Sequence, residues 1–198
     1  NLAKNSGRDY DKYQQVFTEG TQPTTNLSLE QLSQLLPTAK QYWLNLGVSA
    51  HPLDNIQLNI QDLGTNIAAV TNGNQITFDS TGAGWGWFVD STPQESSEFN
   101  FNATGDEGIA FAGTDADGKL DLLSVLIHEM GHVLGLTDNN DHQDIMSGLI
   151  SAGLRHLPTD IDKQAVLAAI DKKQKGSQRL PFLHHMWLNH INKYYLRC

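Results

Sequence analysis

The sequence predicts a mixed domain of the α+β class, and three observations carry that reading. The chain has 198 residues, the size of one ordinary domain. Apolar residues recur at threes and fours in three separate stretches, the period of a helix face. Between the first two of these stretches, short runs alternate apolar and polar residues between turn signals, the period of half-buried strands. At 39% hydrophobic and 18% charged residues, the composition is that of a folded globular protein.

Residues 1–27 are polar and aperiodic and read as an irregular lead-in. From Ser28, the residues Leu29, Leu32, Leu35, Leu36, Ala39, Tyr42, Trp43 and Leu46 fall at helical spacing. Pro37 is expected to break or kink that helix, and Gly47 to end it. Ile56, Leu58 and Ile60 alternate with polar neighbours as a strand, and Gln75–Asp79 repeats the pattern after an Asn-Gly turn. Trp85, Trp87 and Phe88 lie in a glycine-rich loop and read as aromatic cover over a core edge, with one wall of a cleft as the alternative. The stretch from Asp121 to Gly135 is a strongly apolar helix that stops at glycine. A last helix follows Pro158, with Thr159 as its cap, Asp162 as the reciprocal partner, and Ile161, Ala165, Val166, Ala169 and Ile170 as its apolar face.

Charge is unevenly spread. All 22 acidic residues lie at or before Asp171 with only seven basic ones, a net −15, whereas the last 27 residues carry +6. The sequence therefore divides into a lead-in (1–27), a body (28–171) and a basic tail (172–198). The tail reads as an appended extension without a selected role or, alternatively, as an amphipathic helix presenting Leu183, Met186, Trp187, Ile191, Tyr194 and Tyr195. So acidic a body does not suit nucleic acid. No stretch reaches 18 consecutive apolar residues, so no membrane-spanning helix is expected. Cys198 is the only cysteine, so no disulfide can form within the chain.

The chemistry lies in His128-Glu129-Met130-Gly131-His132. Histidines at i and i+4 on a helix share a face and can reach one zinc ion, while Glu129 sits off that row and can deprotonate a water. Gly135 can take a left-handed conformation and turn the chain back under the metal. Asp138, three residues on, is then the candidate third ligand, leaving an open position of the catalytic kind. His142 in the following loop is the alternative ligand.

The segment HEMGHVLGLTD followed by DIMSG resembles the metzincin clan of zinc endopeptidases, and Met146 matches the clan's turn methionine beneath the metal. The usual third ligand of the clan is His; Asp138 replaces it here, as in snapalysin, a small secreted protease family of Streptomyces. From Leu29 to Ala169 the chain also resembles metalloprotease-like domains of large secreted repeat proteins of Gram-negative bacteria. Resemblance implies a twisted, mostly parallel sheet with an antiparallel edge strand, backing helices, and a cleft floored by the zinc helix. It further implies one catalytic Zn2+, a polypeptide substrate, and a bacterial protein that is secreted or at the cell surface and acts as a monomer. Gln75–Asp79 is the expected edge along which an extended peptide would lie.

Two further readings stand beside this. Asp115, Asp117 and Asp121 alternate around Gly118 in a manner suited to Ca2+, without the remaining ligands of an EF-hand. The competing function is a catalytically weak, metal-stabilised module of a bacterial surface protein or adhesin, against which the intact Glu129 argues.

Overall fold

In the computed structural model, residues 13–16, 20 and 25–191 are described, with side chains for 14–16, 20 and 25–175. The first described element is a strand, β1 (Tyr13–Val16), inside the stretch read as irregular. Its residues, YQQV, show no apolar alternation. Pairing with two neighbours and burial of Gln14 and Val16 make it a strand, so a pattern search has nothing to find.

Helix α1 (Leu29–Asn45) starts at a reciprocal cap: the Ser28 hydroxyl accepts the Gln31 N–H, and the Gln31 side chain accepts the Ser28 N–H. It runs unbroken through Pro37, contrary to expectation. The carbonyl that proline leaves without a donor belongs to Ser33, four residues back on the exposed side, where water can satisfy it. A 3-10 turn at His51–Leu53 leads to β2 (Gln57–Gln61). Strands β3 (Ile67–Asn72) and β4 (Gln75–Asp79) form a hairpin closed by Gly73-Asn74, with Gly73 at φ +61° where a type II′ turn requires glycine.

Short strands follow: β5 (Trp87–Phe88), β6 (Phe99–Phe101), β7 (Glu107–Ala110) and β8 (Leu120–Asp121). After helix α2 (Leu122–Val133) come β9 (Leu149–Ile150), β10 (Leu154–His156) and helix α3 (Asp160–Ile191). The principal sheet has the order β2-β4-β3-β1-β9; β10-β7-β6 and β5-β8 make two smaller ones.

The α+β class holds, and four of the five principal strands share one direction. The antiparallel strand is β3, and it lies in the middle of the sheet instead of at the expected edge, because β1 pairs along its outer side. Gln75–Asp79 is also interior, hydrogen-bonded to β2 and β3, and has no free edge for a peptide.

Helix α2 packs against α1 and against β3 and β1 of the sheet, α1 also reaches β2, and every residue of α2 from Leu122 to His132 is buried. Trp43 of α1 is fully buried and its indole N–H donates to the Ile127 carbonyl at 3.1 Å, fixing one helix against the other. Trp87 and Phe88 are core cover as expected: the Trp87 indole N–H donates to the Asp79 carbonyl, and Phe88 meets Phe99 edge-on at 5.8 Å.

At the start of α3, Asp162 accepts both the N–H and the hydroxyl of Thr159, half of the expected box, while the Thr159 hydroxyl oxygen accepts the Ile161 N–H instead of that of Asp162. Of the expected apolar face, Val166 is buried, Ile170 packs against the core and Ala169 is half-buried, while Ile161 and Ala165 are exposed and Asp162 is buried in their place. The helix continues past Lys172 without interruption. The tail's proposed amphipathic side chains fall outside the described residues. No helix among the described residues is long and apolar enough to cross a membrane.

Candidate metal centre

Helix α2 presents His128 and His132 from successive turns, and the surrounding backbone sets their protons. His128 Nδ1 lies 2.8 Å from the Ile145 carbonyl, and His132 Nδ1 lies 3.0 Å from the Leu136 carbonyl. A carbonyl only accepts, so each Nδ1 carries a hydrogen, and in the neutral ring Nε2 then offers a lone pair. The two Nε2 atoms are 3.0 Å apart, and Asp138 Oδ1 stands 3.2 Å from one and 3.1 Å from the other.

With both rings neutral, three lone-pair atoms face one another. That arrangement is repulsive unless a cation sits among them. The triangle has edges of 3.0 to 3.2 Å. Donors at tetrahedral zinc distances, about 2.0–2.1 Å from the ion, would be spaced by about 3.3 Å. Two neutral imidazoles and a carboxylate are also a donor set that zinc accepts, so the residues fit the ion.

The return of Asp138 depends on how α2 ends. Gly135, at φ +98°, donates to the His132 carbonyl, and Leu136 donates to the Gly131 carbonyl, the paired bonds of a Schellman cap. This cap swings the Leu136 carbonyl onto His132 and brings the chain back to the metal side. The segment is then tied to the turn holding Met146: Asn139 donates to the Met146 carbonyl and Gly148 to the Asn139 carbonyl. Asp144 accepts the Met146 N–H at 2.6 Å, and the intervening Ile145 carbonyl holds His128.

Glu129 is fully buried beside the histidines, and one atom from each of His128, Glu129 and His132 lies within 4.8 Å of the others. Its Oε2 accepts the Thr71 hydroxyl at 2.6 Å; its Oε1 has no hydrogen-bond partner among the described residues. Burial pushes its carboxyl above the usual range, against the pull of the two histidines and Thr71. Burial works on Asp138 in the same sense, but the facing imidazoles win and hold it low. For His132 burial favours the neutral ring, yet Asp138 and Glu129 together raise its pKa.

At the other end of α2, Asp121 caps the helix through Ser124 and meets Arg155 of β10 in a fork, Nε to Oδ2 at 2.9 Å and Nη2 to Oδ1 at 2.8 Å. Arg155 also pairs with Asp90 at 2.8 Å and lies 4.3 Å over the Phe99 ring. Sequence reading missed both Arg155 and Thr71. Arg155 had one signal, as the lone basic residue between Lys119 and Lys163 in an acidic body; Thr71 had none.

The calcium reading fails here. Asp121 is buried with both oxygens engaged by Arg155 and Ser124, whereas Asp115 is exposed, and the three aspartates form no metal cluster among the described residues. His142 is exposed on the loop beyond Asn139.

Residues 18–169, well over half of the chain, match the family model described as Peptidase_M10: Matrixin. The chain belongs to the matrixin family. No curated protein and no solved structure matches it. This matrixin is therefore a metzincin zinc-dependent endopeptidase, a hydrolase acting on polypeptides, with the HExxH cluster His128, Glu129 and His132. Its α+β fold and its zinc site are those of the family.

Proposed function

We propose that His128, His132 and Asp138 hold the zinc ion of this matrixin and that Glu129 is its general base, in the HExxHxxGxxD pattern of snapalysin-like enzymes. The observation that carries this assignment is the convergence of two imidazole Nε2 atoms and Asp138 Oδ1 within 3.0 to 3.2 Å of one another. His142 is the weaker candidate because it is exposed, whereas Asp138 is already at the imidazoles.

When bound, zinc supplies Lewis acidity, polarising the scissile carbonyl and making water a better nucleophile at neutral pH. Asp138 contributes a negative charge where a third imidazole would be neutral, which tempers that acidity. Thr71 fixes Glu129 through Oε2 and leaves Oε1, the partnerless oxygen, to take the proton of the attacking water. Burial raises the affinity of Glu129 for that proton, and the same oxygen then delivers it to the leaving amine. The carbonyls of Ile145 and Leu136 keep both imidazoles in the required tautomer throughout.

The competing reading, a metal-stabilised adhesin module, has no use for a buried glutamate held by a dedicated hydroxyl, at a cost in desolvation. We infer further that residues 28–171 carry the catalytic machinery of a secreted, monomeric bacterial enzyme with the basic tail outside it, and that the lead-in adds β1 and the buried Leu27 to its fold.

The test is metal content by mass spectrometry beside peptide cleavage. About one zinc per chain is expected for a three-ligand catalytic site. It should be retained in His142→Ala and Glu129→Gln and lost in Asp138→Ala, with cleavage abolished in Glu129→Gln. Zinc retained without Asp138 and lost without His142 would reverse the ligand assignment. Full cleavage by Glu129→Gln would remove the general base.

A further inference from the structure

A cavity of about 560 Å³ opens beside helix α1 and shares no lining residue with the metal centre. Pro37, Thr38, Gln41, Tyr42 and Asn45 reach it from successive turns of the helix, and Gln94 from the loop between β5 and β6. That loop is held in shape. Arg155 pairs with Asp90 at 2.8 Å, Asp90 accepts the Thr92 N–H at 2.8 Å, and the Glu95 N–H donates to the Thr92 carbonyl across Pro93-Gln94. Gln94 therefore stands at the tip of a turn whose base is anchored in the fold.

The volume lies within the roughly 300–1,000 Å³ of small-molecule sites, but such sites are lined mostly by apolar side chains and this one is not. Its lining is three carboxamides, a hydroxyl, a phenol and a proline ring, all uncharged in a chain of formal charge −9. Burial raises the pKa of the half-buried Tyr42, against the pull of Arg155 and with support from Asp121 and Asp90, so its phenol stays protonated. A phosphate or carboxylate would find no cation among these groups, and a cation no carboxylate. Gln41 Nε2 donates to Asn45 Oδ1 at 2.6 Å, which fixes both side chains and leaves Gln41 Oε1 as an acceptor beside Asn45 Nδ2 as a donor. Neighbouring hydroxyls, each both donor and acceptor, match such a pair. An extended peptide matches it less well, because helical backbone groups are bonded along the helix and offer no ladder.

We propose that this cavity binds the end of a neutral oligosaccharide, with the Tyr42 ring against a C–H face of the sugar and the carboxamides of Gln41, Asn45 and Gln94 on its hydroxyls. The site does not rest on the peptidase reading, since none of these residues takes part in metal binding or cleavage. Free sugars and glycans carried on proteins share the chemistry it recognises.

Isothermal titration of the zinc-loaded full chain with maltotriose, cellotriose, mannotriose and triacetylchitotriose tests it. At least one should bind with a Kd of about 1 mM or tighter. Gln41→Ala with Asn45→Ala changes two exposed helical positions to the best helix former, so the fold is kept. The pair should weaken that binding about tenfold or more through the loss of hydrogen bonds. Gln94→Ala, on the other element, should weaken it as well. Ribonuclease B, bound where its deglycosylated form is not, would place the ligand on a protein; binding of the trisaccharides alone would place it on free sugar. Either result supports the site.

Three results would overturn the proposal. The first is a folded parent that binds no trisaccharide at that level, and the second is sugar binding that survives both variants unchanged. The third is a neutral peptide, acetyl-Ala-Ala-Gln-Ala-amide, held by the Glu129→Gln protein in place of sugar and lost when Gln41→Ala and Asn45→Ala are added.

Discussion

Gly131 and Met146 interlock beneath the metal centre: a Cβ at position 131 would stand 2.3 Å from Met146 Sδ. The glycine between Met130 and His132 is therefore a socket for the turn methionine, closed on its other side by Trp43. Gly131→Ala should gain helix propensity worth about 1 kcal/mol. It must also push a 3%-exposed methionine out of place, an overpacking cost of about 1–3 kcal/mol. The Ile145 carbonyl precedes Met146 and orients His128, so displacement reaches the ligand. The expected outcome is a small loss of thermal stability with a larger loss of zinc affinity, seen by competition with a chromophoric chelator.

Thr71 should matter for turnover more than for folding. Replacing it by Val removes the hydroxyl that donates to Glu129 Oε2. A hydrogen bond to a charged group is worth about 1.5–3 kcal/mol, so kcat should fall by roughly tenfold to a hundredfold with KM little changed. Thr71 pulls the Glu129 pKa down against burial, so its loss should move the acid limb of the kcat/KM profile to higher pH. Thr71→Ser keeps the hydroxyl and should restore both. Equal profiles for Val and parent would show that the hydroxyl does not position Glu129.

The HExxH cluster was legible because its spacing is local: His128 and His132 are one helical turn apart, and the proposed Asp138 and the turn of Met146 follow within a single connection. The β3–β4 hairpin was legible only at β4, since IAAVTN is apolar without alternation while QITFD alternates. What sequence could not show was pairing at a distance. Thr71 reaches Glu129 across 58 positions, and Arg155 reaches Asp121 across 34. The place of β1 beside β3 is equally non-local, which is why an antiparallel strand was expected at an edge and is found inside. The acidic stretch 115–121 misled because carboxylate spacing alone does not reveal that Asp121 is already committed to a buried arginine.

That commitment sets the third prediction. Arg155 is fully buried and neutralises two buried aspartates, Asp121 at the start of α2 and Asp90 in the loop after β5. Arg155→Met fills much of the volume but leaves both carboxylates without their cation, a change that costs about 3–5 kcal/mol. Arg155→Lys should recover only part, because an ammonium cannot make the fork to Asp121 and reach Asp90 together. Urea denaturation of the zinc-loaded proteins gives the ordering parent, Lys, Met. A Met variant as stable as the parent would mean that the cluster does not hold the zinc helix in place.

His156, next along β10, gives the fold a pH dependence of determinable sign. Burial pushes its pKa below the ordinary 6.5, outweighing the opposing pull of Glu107, 3.3 Å away. The unfolded chain takes up a proton as pH falls through about 6.5, whereas the folded chain resists until lower pH. Stability linked to His156 is therefore complete above 6.5 and declines as pH drops below it. Acid also releases zinc from the centre, so the contribution must be read as a difference between two proteins. His156→Gln cannot titrate, and its urea midpoint should fall less steeply than that of the parent between pH 7 and 5.5 in equal zinc. Parallel slopes would assign the acid sensitivity to the metal ligands alone.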